Sequence, residues 1–419
     1  MDTSTQKPAL LEKKYLLAFI LLSSCFMWWG IANNMTDPLV KVFKAIFGEL
    51  STFQASLIQF AFYFGYFCMA IPGAIISRKY SYKTGVLVGL GLYAFGCFLL
   101  YPSTLLHEFI FFCISYYILA SGLSILETNA NPYILVLGPK ETATRRLNFA
   151  QSFNPIGSVA GILLCQVLIM AQMPLDTAGN ISIAPDQVNE TLRIVIFPYL
   201  SVAVVLVVVW ILIALTKMPS MSDNHADLHL LHTFKDLFRK RNYAFAVVAQ
   251  FFYVGAQITV WTYTNFYIPE HIHVTPEVAL KYHTGALILF GASRWVFTAL
   301  MERFKAHSLM LFAAGMAALL SLGVIFVGGV VGVYSLIGIS AFMSLMFPTI
   351  FGMGTEGLSD EETKVGASGL IMAILGGAII TPLQGVLVDA VGVSWSYVLP
   401  LICFVVVGGY AWVGGRNQV

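Results

Sequence analysis

Two carboxyl groups stand where the surrounding sequence is apolar. Asp37 lies in Ala32-Asn33-Asn34-Met35-Thr36-Asp37-Pro38, and Glu127 in Leu126-Glu127-Thr128-Asn129-Ala130-Asn131-Pro132. A carboxylate at the centre of a bilayer costs at least ~2.5–3.5 kcal/mol on insertion scales, so such groups mark substrate or ion pathways. On a helix Asn34 and Asp37, three apart, share a face, as do Glu127 and Asn131, four apart. Long apolar sequence on both sides of Glu127 leaves no helix end to solvate it. It is then either a protonated, hydrogen-bonded structural group or one that handles protons. For Asp37 a solvated place near the outer end of a long first helix is the alternative, and Pro38 predicts a local kink there. Desolvation favours the neutral acid over the carboxylate. A buried Asp or Glu can therefore take a proton in one conformation and release it in another, linking solute movement to a proton gradient.

Polar stripes accompany the carboxyls. Asn148, Gln151 and Asn154 are spaced by three, and Gln250, Tyr253, Gln257 and Trp261 by three, four and four. Such stripes act as interhelical glue, at roughly 0.6 kcal/mol per contact, or line a watery cavity. Amides that donate and accept, next to an aromatic face, suit the hydroxyls and apolar ring faces of a sugar. Arg294 is the one cation deep in an apolar run; it must face the bundle and find an acceptor, a carboxyl or a carbonyl, or else contact the solute.

The elements that must carry these residues are membrane helices. Of 419 residues 58% are hydrophobic and 11% charged, against about 25% charged in soluble domains. Apolar runs fall at 15–45, 52–77, 83–102, 108–137, 145–172, 192–216, 242–268, 278–302, 307–328, 331–353, 364–389 and 394–414, each long enough to span a bilayer. The run from Tyr15 is too long for the apolar core of a signal peptide and is taken as the first span. With a cytoplasmic amino terminus, eighteen of the 23 Lys and Arg fall inside and four outside, as the positive-inside rule requires. The expected fold is an all-α membrane protein of twelve transmembrane helices in two six-helix bundles, 1–216 and 242–419, joined by a cytoplasmic loop, 217–241. Both termini are then cytoplasmic. His225, His229 and His232 in the loop lie at helical spacing, but without Cys or HExxH they read as a solvated loop helix and no metal site is expected. The six cysteines lie in apolar runs and read as free buried thiols. No basic cluster suits nucleic acid, and no HExxH, paired Cys or GxSxG indicates an enzyme.

A weak internal repeat joins the halves. Asn131 to Gly138 and Phe347 to Gly354 each place a Pro six residues before a Gly, near the end of a helix. Parallel repeats related by an axis along the membrane normal, with the site at mid-membrane between them, are the arrangement of the major facilitator superfamily. Specific motifs go further. Ala32-Asn33-Asn34 with Asp37, Gln59-Phe60-Ala61-Phe62-Tyr63-Phe64-Gly65-Tyr66-Phe67, Leu126-Glu127-Thr128 with Ala130-Asn131-Pro132, and Arg146-Leu147-Asn148 with Ala150-Gln151-Ser152-Phe153-Asn154 occur in order. Tyr253-Val254-Gly255-Ala256-Gln257, Trp261, Tyr263 and Phe347-Pro348-Thr349-Ile350-Phe351 follow, as does Ser222-Asp223-Asn224-His225 in the loop. Over nearly its whole length the chain resembles the L-fucose:proton symporter family of that superfamily.

The resemblance implies that Asp37 is the coupling acid. It makes Glu127 a sugar-facing carboxyl that also takes part in proton coupling. It places Asn34 and Gln151 in the sugar cavity, with Gln257 and Trp261 as further cavity residues. Asn131 and Asn148 join them as binding candidates, and Arg294 and Phe347 as structural or gating ones. Three positions depart from the pattern. Phe347 replaces a Tyr, removing one hydroxyl; Thr36 replaces an Asn; and Gly73 to Lys83 is a degenerate form of the superfamily's loop motif, with Ser77 where Asp is usual. The expectation is symport of a monosaccharide, L-fucose or a related hexose, with protons. It works by alternating access in the inner membrane of a bacterium, as a monomer and with no cofactor beyond the coupling ion. A passive or sodium-coupled hexose carrier and a transporter-like sugar sensor are the alternatives.

Overall fold

The computed structural model describes residues 9–47, 52–174, 183–219 and 230–416. Every extended regular element among them is a helix. In chain order these are α1 (Leu16–Ile46), α2 (Thr52–Lys79), α3 (Tyr82–Leu106), α4 (Phe109–Val136), α5 (Ala143–Gln151), α6 (Phe153–Leu168), α7 (Val188–Leu215) and α8 (Leu230–Arg239). Then come α9 (Arg241–Ile272), α10 (Pro276–Leu300), α11 (Ala306–Phe326), α12 (Gly329–Met343), α13 (Met346–Thr355), α14 (Asp360–Met372), α15 (Leu375–Val391), α16 (Val393–Ser396) and α17 (Val398–Arg416). Eleven segments are long and apolar enough to cross a membrane. At 25 residues α10 has the length of a span, but Lys281, His283 and Arg294 lower its apolar character.

Four of the apolar runs divide into two helices each. Three of the divisions have a proline three or four residues downstream: Pro155 after Ser152, Pro348 after Ser344, and Pro400 after Tyr397. Proline has no N–H for the carbonyl one turn earlier. The fourth division, between α14 and α15, precedes Gly376-Gly377, where helix propensity is lowest apart from proline. Pro38 behaves differently, because α1 passes through it without interruption. Of the three loop histidines, His232 lies on α8 and bonds Asp236 at 2.8 Å; His225 and His229 lie outside the described residues.

Helices α1–α7 pack mainly among themselves, through the pairs α3–α4, α2–α4, α1–α6 and α3–α7. Likewise α9–α17 pack through α11–α17, α9–α15, α11–α12 and α9–α17. Close crossings need small residues, as is usual between membrane helices. A Cβ at Gly157 would lie 1.9 Å from the Met27 carbonyl oxygen where α6 crosses α1, and one at Gly122 would lie 2.2 Å from the Tyr93 nitrogen.

The two sets meet through α5–α13, α2–α14, α4–α14, α10–α5 and α10–α6. These contacts sit toward the end of the bundle that carries the basic loops. Arg78 reaches Glu361 at 3.5 Å, Arg145 pairs with Glu302, and Asn148 Nδ2 donates to Thr349 Oγ1 at 3.1 Å. On the same side Lys240 holds Glu362 at 2.7 Å, and Glu362 completes a capping box with Ser359 at the start of α14. The protein is therefore closed at its basic end.

Gly157→Ala should destabilise the bundle by about 1–3 kcal/mol, the usual cost of overpacking. Gly315→Ala, in α11 with nothing within 4 Å of the added Cβ, should leave the melting temperature unchanged or raise it. Thermal melts of the purified protein in detergent check both. Equal responses would mean that helix propensity, and not the α1–α6 crossing, sets the effect.

Candidate substrate and proton site

Glu127 sits on α4 and is 5% exposed. Two features bring α2 against it. Gly65 packs on the Tyr117 carbonyl, where a Cβ would come within 2.7 Å. Ser124 Oγ then donates to the Tyr66 carbonyl at 2.6 Å. The Tyr66 hydroxyl, buried at 2% exposure, donates to Glu127 Oε2 at 3.2 Å. That hydroxyl in turn accepts from Trp29 Nε1 of α1, so an indole, a phenol and a carboxyl form one chain across α1, α2 and α4. Next to Trp29, the Trp28 carbonyl accepts from Tyr93 at 2.9 Å and ties α1 to α3.

No Lys, Arg or His among the described residues lies within ion-pair distance of Glu127. A carboxylate there has neutral donors and no counter-charge, an arrangement that is costly in an apolar bundle. A proton on the carboxyl removes the charge altogether. A cavity of about 10 Å³ lined by Cys25, Phe26, Trp29, Leu126, Glu127 and Ala130 adjoins it, close to the room of a single water.

One turn along α4, Asn131 Oδ1 accepts from Gln151 Nε2 at 2.7 Å. Asn131 Nδ2 lies beside Glu127 but has no well-formed hydrogen bond. Glu127, Asn131 and Gln151 thus form one buried polar cluster. The Gln151 carbonyl extends it to the other half, accepting from Arg294 Nη1 of α10 at 2.9 Å. Arg294 is 3% exposed. It also donates to the Ser344 carbonyl and lies 4.6 Å from the Phe290 ring centroid. Its acceptors are carbonyls; no carboxylate among the described residues lies within ion-pair distance.

The remaining candidates are spread more widely. Asn34 is half-buried on α1 and bonds the Gly30 carbonyl at 3.0 Å. Asp37 follows one turn later on α1, and its side chain lies outside the described residues. Asn148 is wholly buried in the inter-half bond to Thr349, with its Oδ1 unpartnered. The break at Ser152 puts Asn154 on a different helix from Asn148 and Gln151, and it donates to the Phe26 carbonyl at 3.4 Å. On α9, Gln250 is wholly buried with neither amide atom bonded. Gln257 is half-buried. Trp261 Nε1 donates to Ser340 Oγ at 3.2 Å, its ring edge-on to Phe290 at 5.1 Å. Phe347 packs against Tyr253 at 6.4 Å, and the Tyr253 hydroxyl is engaged by the Met343 carbonyl at 3.1 Å.

Sequence reasoning did not assign Trp29 and Tyr66 to the site. The signals were present: a Trp28-Trp29 pair inside an apolar helix, whose N–H groups need partners, and Tyr66 within a motif already singled out. A second cavity, of about 530 Å³, opens between α2, α8, α9 and α14, with walls such as Phe67, Phe234, Phe251 and Met372. Its walls offer a sugar no polar partner. Among the described residues no group of three His, Cys, Asp or Glu side chains could hold a metal ion.

Comparison with known proteins identifies the fold and the family. Residues 17–374 match the model of the Major Facilitator Superfamily. The chain is 44% identical to an L-fucose-proton symporter of Haemophilus influenzae, over 96% of this chain and 97% of that one. It is 31% identical to a glucose/galactose transporter of Brucella abortus, over 97% and 96%. Among solved structures it superposes on the crystal structure of FucP, a transporter of the superfamily in the outward conformation. The TM-score there is 0.87 with 38% identity, over 96% of this chain and 99% of that one. The chain belongs to the Major Facilitator Superfamily and, within it, to the L-fucose:proton symporter family that its motifs resemble.

Proposed function

We propose that this protein carries a monosaccharide together with a proton across the inner membrane of a bacterium, with L-fucose the leading substrate. The observation that carries the proposal is Glu127. It is a carboxyl buried in mid-helix, held by a neutral tyrosine donor, with no counter-charge among the described residues. Next to it lies the Asn131–Gln151 amide pair. Protonation relieves the charge, and a sugar hydroxyl, which both donates and accepts, suits the Glu127 carboxyl and the amides beside it. Binding of proton and sugar are then favourable together. Closure at the basic end, which the positive-inside rule assigns to the cytoplasm, leaves the site to be loaded from outside, and the likeness to an outward-facing structure supports the same state.

Asp37, eight residues beyond Trp29 on α1 and so about 12 Å along the helix at 1.5 Å per residue, is the companion acid and is proposed to exchange protons with the outside. Asn34, Gln151, Gln257 and Trp261 complete the cavity, the last offering an aromatic face. Asn148 is better suited to holding the halves together in this state. The protein is proposed to act as a monomer with the proton as its coupling ion. A related hexose is the second substrate reading, favoured by Phe347, which offers no hydroxyl, and by the glucose/galactose transporter among the relatives.

In proteoliposomes L-fucose should accumulate only under an inward proton gradient. Glu127→Gln and Asp37→Asn should each cut that accumulation at least tenfold while leaving sugar counterflow measurable. Undiminished proton-driven accumulation in both variants would end the proposal. Phe347→Tyr adds a hydroxyl at the cavity wall. A neutral hydrogen bond is worth about 0.5–1.5 kcal/mol, or about two- to tenfold in affinity, so the KM for L-fucose should fall by that factor. An unchanged KM across L-fucose, D-galactose and D-glucose would place the Phe347 ring away from the sugar.

A further inference from the structure

We infer that Arg294 is a releasable clasp between the two halves, and that its acceptors are carbonyls set free by one proline in each half. Gln151 stands four residues before Pro155 and Ser344 four before Pro348. In a continuous helix those carbonyls would accept from residues 155 and 348, and proline has no N–H to give. Both helices divide at these points. Arg294 fills both gaps, with Nη1 on the Gln151 carbonyl at 2.9 Å and Nε on the Ser344 carbonyl. A planar guanidinium with five N–H donors can serve two acceptors in this way, whereas a lysine ammonium lacks the fork.

The two bonds differ in what they join. Ser344 lies between α12 and α13, in the same half as Arg294, so that bond can persist through a rigid-body movement. Gln151 ends α5 in the opposite half, so that bond must break when the basic end opens. The setting suits repeated release. The guanidinium is buried against Phe290 and faces carbonyl dipoles, with no carboxylate among the described residues in ion-pair reach, so parting the halves separates a cation from a neutral group. The clasp is also a positioning device. The Gln151 side chain holds Asn131, beside Glu127, so the bond that closes the basic end also fixes the amide pair of the site.

The test is the opening equilibrium of the sugar-free, full-length protein in nanodiscs. Spin labels on cysteines replacing Glu141 and Asp360, exposed residues of opposite halves at the basic end, report it by double electron–electron resonance. Arg294→Gln should raise the long-distance population at least fivefold over the parent, and Arg294→Lys should fall between the two. Adding Pro155→Ala and Pro348→Ala to Arg294→Gln returns an N–H to each carbonyl. That triple variant should regain the parent's melting temperature yet keep the long-distance population. It also gives a folded readout if Arg294→Gln alone does not fold. A parental distance distribution in the triple variant would overturn the inference, reducing Arg294 to a filler of two carbonyls.

Discussion

A carboxyl group inside a bundle surrounded by lipid needs donors or a proton, because no water is at hand to solvate its charge. The polar interior of this protein is arranged around that need at Glu127. Tyr66 supplies the donor, Trp29 orients Tyr66, and Ser124 fixes the α2 backbone that carries the tyrosine. The glycines along α2 let it come close enough for the bond to form. What the arrangement omits matters as much. A lysine or arginine beside Glu127 would favour its charged form and oppose the proton exchange proposed for it; neutral donors leave both protonation states accessible.

The boundary between the halves follows a related logic. Its interior contacts are neutral or cation-to-dipole bonds, Asn148 to Thr349 and Arg294 to the Gln151 carbonyl. Its charged pairs lie at the rim, where Glu302 and Glu361 are well exposed and such pairs contribute about 0–1 kcal/mol each. No single contact is strong enough to lock the molecule. Two states separated by a few kcal/mol are what a solute and a proton can shift between. The prolines that divide α5 from α6 and α12 from α13 serve the same end, supplying acceptors that an arginine can hold and release.

The membrane class, the helical spans and the family were legible in the sequence, because lipid forces long apolar runs and makes each polar exception conspicuous. Glu127, Asn131 and Gln151 were found this way, and they do come together. The helix breaks at Ser152 and Ser344 were not found. Pro38 and Pro132 lie within continuous helices while Pro155 and Pro348 accompany breaks, where a tertiary donor such as Arg294, which a sequence does not display, takes up the freed carbonyls. The even spacing of Asn148, Gln151 and Asn154 suggested one polar face; the break separates them into an inter-half tie to Thr349, a partner of Asn131 and a bond to α1. Tyr66 and Trp29 were obscured because aromatic residues in an apolar helix look like packing until their polar atoms are seen to have a partner.

The central claim is that sugar and proton move together. Proteoliposomes loaded with buffer of the same pH as a weakly buffered medium receive L-fucose, with no gradient imposed, and the external pH is followed. Symport predicts a transient external alkalinisation that begins with sugar entry, scales with the sugar gradient and disappears with a proton ionophore. Entry of L-fucose at a comparable rate with no change in external pH would contradict the account.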